Sequence, residues 1–263
     1  MKHIESRNNP TIKWAATLTA KKGREAEGLF CFEGVHLLEE YIRSGRDPKM
    51  LFVREDALNK YRDLINSAGC EVFSVTGSVY EKLTEEKAPQ GIFTVAERLN
   101  NIKPLNQETV KELKGTSIAL ADLQDNGNVG TVIRTAAALD CNIILCGNCA
   151  DIYSPKTVRA TMGAMFFANV YVADTALDCV TLLQSQGKRV IATALTDKAQ
   201  TLGRFDINND DCFMVGNEGK GLKEEVIAQC DLTAIIPMSG KTESLNAATA
   251  AAVILWEAKR GKM

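Results

Sequence analysis

Three loops in the second half of the chain concentrate residue types that can hold and act on a small ligand. In the first, Asp122-Leu123-Gln124-Asp125-Asn126-Gly127-Asn128-Val129-Gly130-Thr131-Val132-Ile133-Arg134, two glycines permit tight backbone geometry. Asn128 suits a helix cap there, and Arg134 falls within two turns of the helix start. The second, Phe213-Met214-Val215-Gly216-Asn217-Glu218-Gly219-Lys220-Gly221-Leu222, carries three glycines in six residues. A phosphate cradle is a weak reading of it, because Leu222 stands where a Walker lysine would and the Rossmann spacing is absent. The third runs Ile235-Ile236-Pro237-Met238-Ser239-Gly240-Lys241-Thr242-Glu243-Ser244-Leu245-Asn246-Ala247-Ala248, from an apolar strand into an alanine-rich helix that allows close backbone approach. Each loop also has an ordinary reading. Arg134 can pair with some carboxylate, Glu218 can offset a helix dipole, and Ser244 or Asn246 can simply cap the last helix.

Loops of this kind matter when they follow strands of a parallel α/β sheet, where the carboxyl ends form the ligand crevice. The pattern predicts that arrangement. Strands are expected over 117–123, 142–146, 169–172, 189–194, 212–215 and 232–236, with helices between them and a closing helix over 244–260, where Leu245, Ala248, Ala252 and Leu255 keep helical spacing. Upstream, a helical opening over 11–22 precedes short apolar runs at 29–32, 50–53, 71–75 and 92–95, alternating with helical patterns at 35–43, 57–68 and 79–87. That alternation is the signature of a small α/β domain. The polar stretch 101–114 with Pro104 reads as a linker, giving domains over 1–100 and 115–263.

Bulk properties narrow the function class. At 263 residues two domains are expected, and 45% hydrophobic with 24% charged residues is ordinary globular composition. The opening Met1-Lys2-His3-Ile4-Glu5-Ser6-Arg7 lacks a signal peptide's apolar core, and the most apolar later stretch, 247–256, is too short to span a bilayer. A cytoplasmic protein with no membrane partner is expected, its eight cysteines reduced. Cys146-Gly147-Asn148-Cys149 invites a metal reading, but the only histidines are His3 and His36 and there is no second Cys-x-x-Cys, so no metal is expected.

A net charge of −2 gives no global argument for nucleic acid. Locally, the first 24 residues hold six basic side chains (Lys2, Arg7, Lys13, Lys21, Lys22, Arg24) against the single acid Glu5. Lys13, Lys21, Lys22 and Arg24 are the candidate RNA contacts, a basic arm being able to hold phosphates through counterion release; a solvated helix face fits the same charges.

By order, separation and side chains, the three loops together resemble the SpoU (TrmH-like) branch of the SPOUT methyltransferases over about residues 116–260. The first half, at Phe30-Cys31-Phe32-Glu33-Gly34 and Ala88-Pro89-Gln90-Gly91-Ile92, is similar to the RNA substrate-binding domain of ribosomal-protein L30e type that precedes many such catalytic domains. The resemblance implies a C-terminal α/β SPOUT domain with a deep trefoil knot, S-adenosylmethionine as cofactor, homodimerisation through the last helix including Trp256, and methylation of a ribose 2′-hydroxyl, in rRNA rather than tRNA given the appended domain. It implies that Thr193, Gly216, Ile236, Met238 and Leu245 surround the cofactor, all but the glycine being equally good core positions, and that Asn128, Arg134, Glu218, Ser244 and Asn246 form the catalytic set, with Glu218 helping to position Arg134. At Gly216, a side chain would occlude the ligand. The usual proline before the first-loop glycine is replaced by Asn126, which should loosen that turn. From another class, a non-catalytic RNA-binding protein could keep the fold; the intact catalytic set argues against it.

Overall fold

The computed structural model describes residues 1–241, 244–260 and 262, and the chain divides into two compact units. The first comprises Met1–Leu99 with Asp151–Phe166, the second Asn100–Ala150 with Phe167–Met263.

The first unit is built on a mixed sheet of β1 (Lys2–Ile4), β2 (Leu29–Glu33), β3 (Met50–Arg54), β4 (Glu71–Val75) and β5 (Ile92–Glu97), in the order β1-β4-β3-β5-β2. β1 and β3 flank β4 in parallel, and β5 runs antiparallel to β3 and β2. Although β2 lies at the sheet edge, Leu29, Phe30, Cys31 and Phe32 are all buried. Leu29 and Cys31 enter a core with Phe52, Phe73 and Val95. On the opposite face, the Phe30 ring lies 5.0 Å from Tyr153 and the Phe32 ring 5.5 Å from Phe166. Those contacts explain why 151–166, far along the chain, belongs to this unit: its aromatic residues cover the second face of an edge strand that would otherwise be apolar and wet.

Short elements depart from the sequence reading. The pattern over 57–68 forms two helices, Glu55–Lys60 and Arg62–Ser67, broken at Tyr61, whose φ of −120° leaves the helical range. Of the stretch expected over 79–87, only Val79 and Tyr80 are helical, as the end of a short helix Gly77–Tyr80. β1 is too short and polar for its periodicity to register.

The second unit carries β6 (Ile102–Pro104), β7 (Ser117–Ala121), β8 (Asn142–Cys146), β9 (Val170–Ala173), β10 (Val190–Thr193), β11 (Gln200–Thr201), β12 (Cys212–Val215) and β13 (Leu232–Ile235). Their order is β11-β13-β10-β12-β7-β8-β9-β6, with every pairing parallel. β6 lies inside the stretch read as a linker: Pro104 can occupy a strand there because β6 is an edge, where a missing N–H breaks no ladder. β7, β8 and β12 are buried along their whole length, as strands covered on both faces must be. From β7 the chain steps outward to β8 and β9, then returns to the other side of β7 with β12 inserted between β7 and β10. The loops leaving the carboxyl ends of β7 and β12 therefore emerge side by side at the reversal of strand order, where α/β sheets form their crevice, and β13 ends on the same edge two strands from β12. Helix Ala247–Lys259 packs on helix Asn126–Ala138, burying Ala247, Ala248, Ala251 and Ala258.

Candidate active site

The helix that carries Arg134 begins at Asn126, and its cap is Asp125, whose Oδ1 accepts the Asn128 N–H at 2.7 Å. The expectation that Asn128 caps this helix is thus corrected. Asp125 takes that role, and the Asn128 side chain is free to reach outward. Asn126 occupies the first helical position, where proline fits because its missing N–H would have no partner anyway. Replacing proline with asparagine leaves this helix start formed.

Glu218 is not at the start of its own helix, which opens at Glu224. It sits in the turn after β12 and reaches across to the first loop. Its Oε1 accepts from Asp125 N at 3.0 Å and Asn128 Nδ2 at 3.2 Å, while its Oε2 accepts from Gln124 N at 3.3 Å. A carboxylate facing the amino end of helix Asn126–Ala138 also meets the positive end of its dipole. Partial burial pushes the Glu218 carboxyl up, but these hydrogen bonds and one from its own backbone outweigh it and hold the group below the usual range, so it is an anion at neutral pH.

Asn246 closes the set. It is the cap of helix Ala247–Lys259, its Oδ1 accepting from Ala248 N at 2.9 Å and Thr249 N at 3.2 Å, and its Nδ2 donates to Asn128 Oδ1 at 2.9 Å. Asn128 thus spans Glu218 and Asn246, joining all three loops by side-chain hydrogen bonds. Arg134 stands apart. It is exposed, on the solvent face with Gly127 and Thr131, and makes no hydrogen bond or ion pair with the described residues. Glu218 does not hold it in this structure; its oxygens are occupied by the first loop.

Beside this network lies a cavity of about 500 Å³. All five residues expected around the cofactor (Thr193, Gly216, Ile236, Met238, Leu245) line it, together with Glu218, Ser244 and Asn246. Met238 and Leu245 are each 38% exposed, so they present apolar surface to the cavity instead of serving as core. Thr193 Oγ1 donates to Met214 O at 2.8 Å, which fixes the end of β10 against β12. Thr242 and Glu243 of the third loop lie outside the described residues. Gly216 lines the cavity and has a second reason to be glycine. A Cβ there would lie 2.2 Å from Gly221 C and 2.4 Å from Leu222 N, so the chain's own backbone already requires the glycine.

The basic arm resolves into two kinds of residue. Lys13, Lys21 and Lys22 are exposed. Arg24 is only 3% exposed, and its guanidinium donates to Leu18 O at 2.9 Å, Thr19 O at 2.6 Å and Asp151 Oδ2 at 2.6 Å. It cannot reach RNA from there; it ties 151–166 into the first unit. Of the Cys-x-x-Cys pair, Cys146 is buried, and the Cys149 thiol donates to Leu120 O at 3.1 Å, burial pushing it up to about 11.

Sequence analysis missed Asp122, Asp125 and Asn217, which shape the loops. Asn217, flanked by Gly216 and Glu218, was inside the quoted motif; its signal was an amide side chain in a glycine turn.

An all-parallel sheet whose second and third loops line a cavity, with the first loop bonded to both through Asn128, defines an α/β ligand-binding unit, and comparison with known proteins makes the class specific. Residues 115–256 match the SpoU rRNA Methylase family and residues 9–94 the MRM3-like substrate binding domain. The chain belongs to the SpoU family. It is 32% identical to the 23S rRNA (guanosine(2553)-2′-O)-methyltransferase RlmP of Bacillus subtilis, over 97% of this chain and 98% of that protein. It is 28% identical to the 23S rRNA (uridine(2479)-2′-O)-methyltransferase of Streptomyces viridochromogenes, over 100% of this chain and 93% of that one. Among solved structures, the AdoMet-bound rRNA methyltransferase from Sinorhizobium meliloti superposes with a TM-score of 0.85 at 30% identity, covering 100% of this chain and 98% of that chain. The protein is an S-adenosylmethionine-dependent RNA 2′-O-ribose methyltransferase with an N-terminal substrate-binding domain.

Proposed function

We propose that the RNA is ribosomal, that Thr193, Gly216, Ile236, Met238 and Leu245 surround the methyl donor, and that Asn128, Arg134, Glu218, Ser244 and Asn246 act on the ribose. The observation that carries this reading is a cavity of about 500 Å³, a size suited to a small cofactor, lined by the end of β10 and by the second and third loops, with the first loop bonded through Asn128 to Glu218 and Asn246 in its wall. Its walls fit S-adenosylmethionine: apolar Ile236, Met238 and Leu245 for a planar base, and the Glu218 anion for a cationic sulfonium. When bound, the cofactor supplies an electrophilic methyl group. The protein's task is then to hold the 2′-oxygen in line and stabilise the charge that develops on it.

Arg134 is suited to that task as an anchor for phosphate and ribose oxygens, since a guanidinium stays protonated and cannot serve as the base. With no hydrogen-bond or ion-pair partner among the described residues, its donors are available for RNA. The hydroxyl proton leaves to phosphate or water. Asn128, held between Glu218 and Asn246, presents a fixed amide at the same loops. Lys13, Lys21 and Lys22 hold RNA phosphates in the substrate-binding unit.

The named activities of the two rRNA relatives support a ribosomal substrate over tRNA. We further propose a cytoplasmic homodimer. Val253 and Trp256, three residues apart on one face of the last helix, are 39% and 53% exposed, which supports a docking face. Among the described residues no helix is long and apolar enough to cross a membrane. The test is transfer from tritiated S-adenosylmethionine to deproteinised 23S rRNA and to bulk tRNA, with alkaline hydrolysis of the product. Label in alkali-resistant dinucleotides from 23S rRNA alone supports the proposal, and label confined to tRNA would refute it.

A further inference from the structure

The loop bearing Glu218 is held by a residue that no role has yet absorbed. Asn217 closes its turn through paired backbone bonds with Gly221, at 3.1 Å and 2.9 Å, and its Oδ1 accepts from Gly219 N at 3.0 Å and Lys220 N at 3.2 Å. Its Nδ2 then crosses to the end of β7 and donates to Asp122 O at 2.9 Å. Asp122 is itself unusual: its φ is 54°, in the left-handed region that side chains seldom adopt. It is held there from the neighbouring strand end, where Asn148 N donates to Asp122 Oδ1 at 2.8 Å, while Asp122 N donates to Cys146 O at 3.0 Å. Gly147 leaves room for that carboxylate, since a Cβ there would lie 2.5 Å from Asp122 Oδ1. The left-handed step at Asp122 redirects the chain from the line of β7 and brings the Gln124 and Asp125 N–H groups to Glu218.

We propose that Asn217 and Asp122 form a latch between the first two loops, two positioning residues that set where Glu218, and through it Asn128, stand for methyl transfer. The proposal rests on the reading that the Asn128–Glu218 pair serves the reaction. Asp122 stands outside the cavity, whereas Asn217 forms part of its wall beside Gly216 and Glu218. The latch acts on turnover and on loop order, and at Asp122, which does not line the cavity, it acts without changing cofactor affinity.

Three variants test it: Asn217→Ala, Asp122→Ala and Asp122→Asn. Asparagine tolerates the left-handed conformation and keeps the Oδ1 acceptor, so Asp122→Asn retains near wild-type turnover. Asp122→Ala and Asn217→Ala lower kcat on 23S rRNA by roughly 10- to 100-fold, the effect of misplacing a group by about 1 Å. In Asp122→Ala S-adenosylhomocysteine binds with an affinity within about threefold of wild type, and in both alanine variants the Asp125, Gly219 and Lys220 amides exchange faster in deuterium oxide. Wild-type kcat in Asn217→Ala, or equal kcat in Asp122→Ala and Asp122→Asn, overturns the latch. Should Asn217→Ala not fold, the Asp122 pair alone decides. Full activity in Glu218→Gln would instead remove the underlying reading, while exchange at Asp125 would still report whether the latch orders the loop.

Discussion

Substituting Gly216 separates two accounts of the second loop. In Gly216→Ala the new methyl would sit 2.2 Å from Gly221 C, 2.4 Å from Leu222 N and 2.5 Å from Gly221 O, all backbone atoms that cannot swing aside as a side-chain tip would. Ordinary contact needs a shift of roughly 1 Å, and a displacement of that size near reacting groups costs about 100-fold in rate. The turn that must give way carries Glu218, whose bonds to Gln124, Asp125 and Asn128 are already 3.0–3.3 Å long and would part. Overpacking of this kind costs about 1–3 kcal/mol in stability. Calorimetric unfolding, single-turnover methyl transfer and titration with S-adenosylhomocysteine together form the assay. The structure predicts a lowered melting temperature and a collapse of single-turnover rate. A variant with unchanged melting temperature that fails only to bind S-adenosylhomocysteine would refute this reasoning and restore the view that the glycine makes room for the ligand.

Other substitutions probe the remaining assignments. Arg24→Met strips a buried guanidinium from Leu18 O, Thr19 O and Asp151; because Asp151 keeps some exposure, a loss of about 3 kcal/mol at the low end for a buried pair is expected in denaturant unfolding, with the salt dependence of RNA binding unchanged. Replacing Lys13, Lys21 and Lys22 with alanine should do the reverse, leaving stability intact while flattening the plot of log affinity against log salt by close to one unit per lost contact. Glu218 titrates lower folded than unfolded, so its contribution is complete above the ordinary glutamate range, near pH 4.3, and is lost as pH falls through its folded value. Acid unfolding of wild type should accordingly be steeper below that range than that of Glu218→Gln, and parallel curves would contradict the assigned hydrogen bonds. With Cys70, Cys141, Cys149 and Cys230 pushed to about 11 by burial, thiolate is on the order of 1 in 1,000 at pH 8, so native protein should react slowly with iodoacetamide and unfolded protein quickly.

Much of the catalytic unit could be read from the sequence because its strands are buried on both faces. Runs such as Asn142–Cys146 and Cys212–Val215 are apolar throughout and bounded by polar turns, so their ends are sharp. The loops were recognised as a linked set, and the cavity collects the five residues assigned to it. What escaped was decided by contacts distant in sequence. The Arg24 charge looked like part of a basic arm until Asp151, 127 positions on, came to meet it. Asp125 and Asn128 are both good capping residues, and only Glu218, about 90 positions downstream, draws the Asn128 side chain outward. β6 was hidden by its proline, which marks a loop unless the strand lies at an edge. The trefoil path that the family resemblance implies leaves no periodic trace, because threading belongs to the whole chain and not to any segment.

The central claim, that the loops after β7, β12 and β13 jointly hold one methyl donor, is tested most directly by a crystal structure with S-adenosylhomocysteine. The account predicts the ligand in the cavity lined by Thr193, Gly216, Ile236, Met238 and Leu245, its sulfur on the side of Glu218 and Asn128. Density for the ligand at any other strand ends, with that cavity empty, would contradict it.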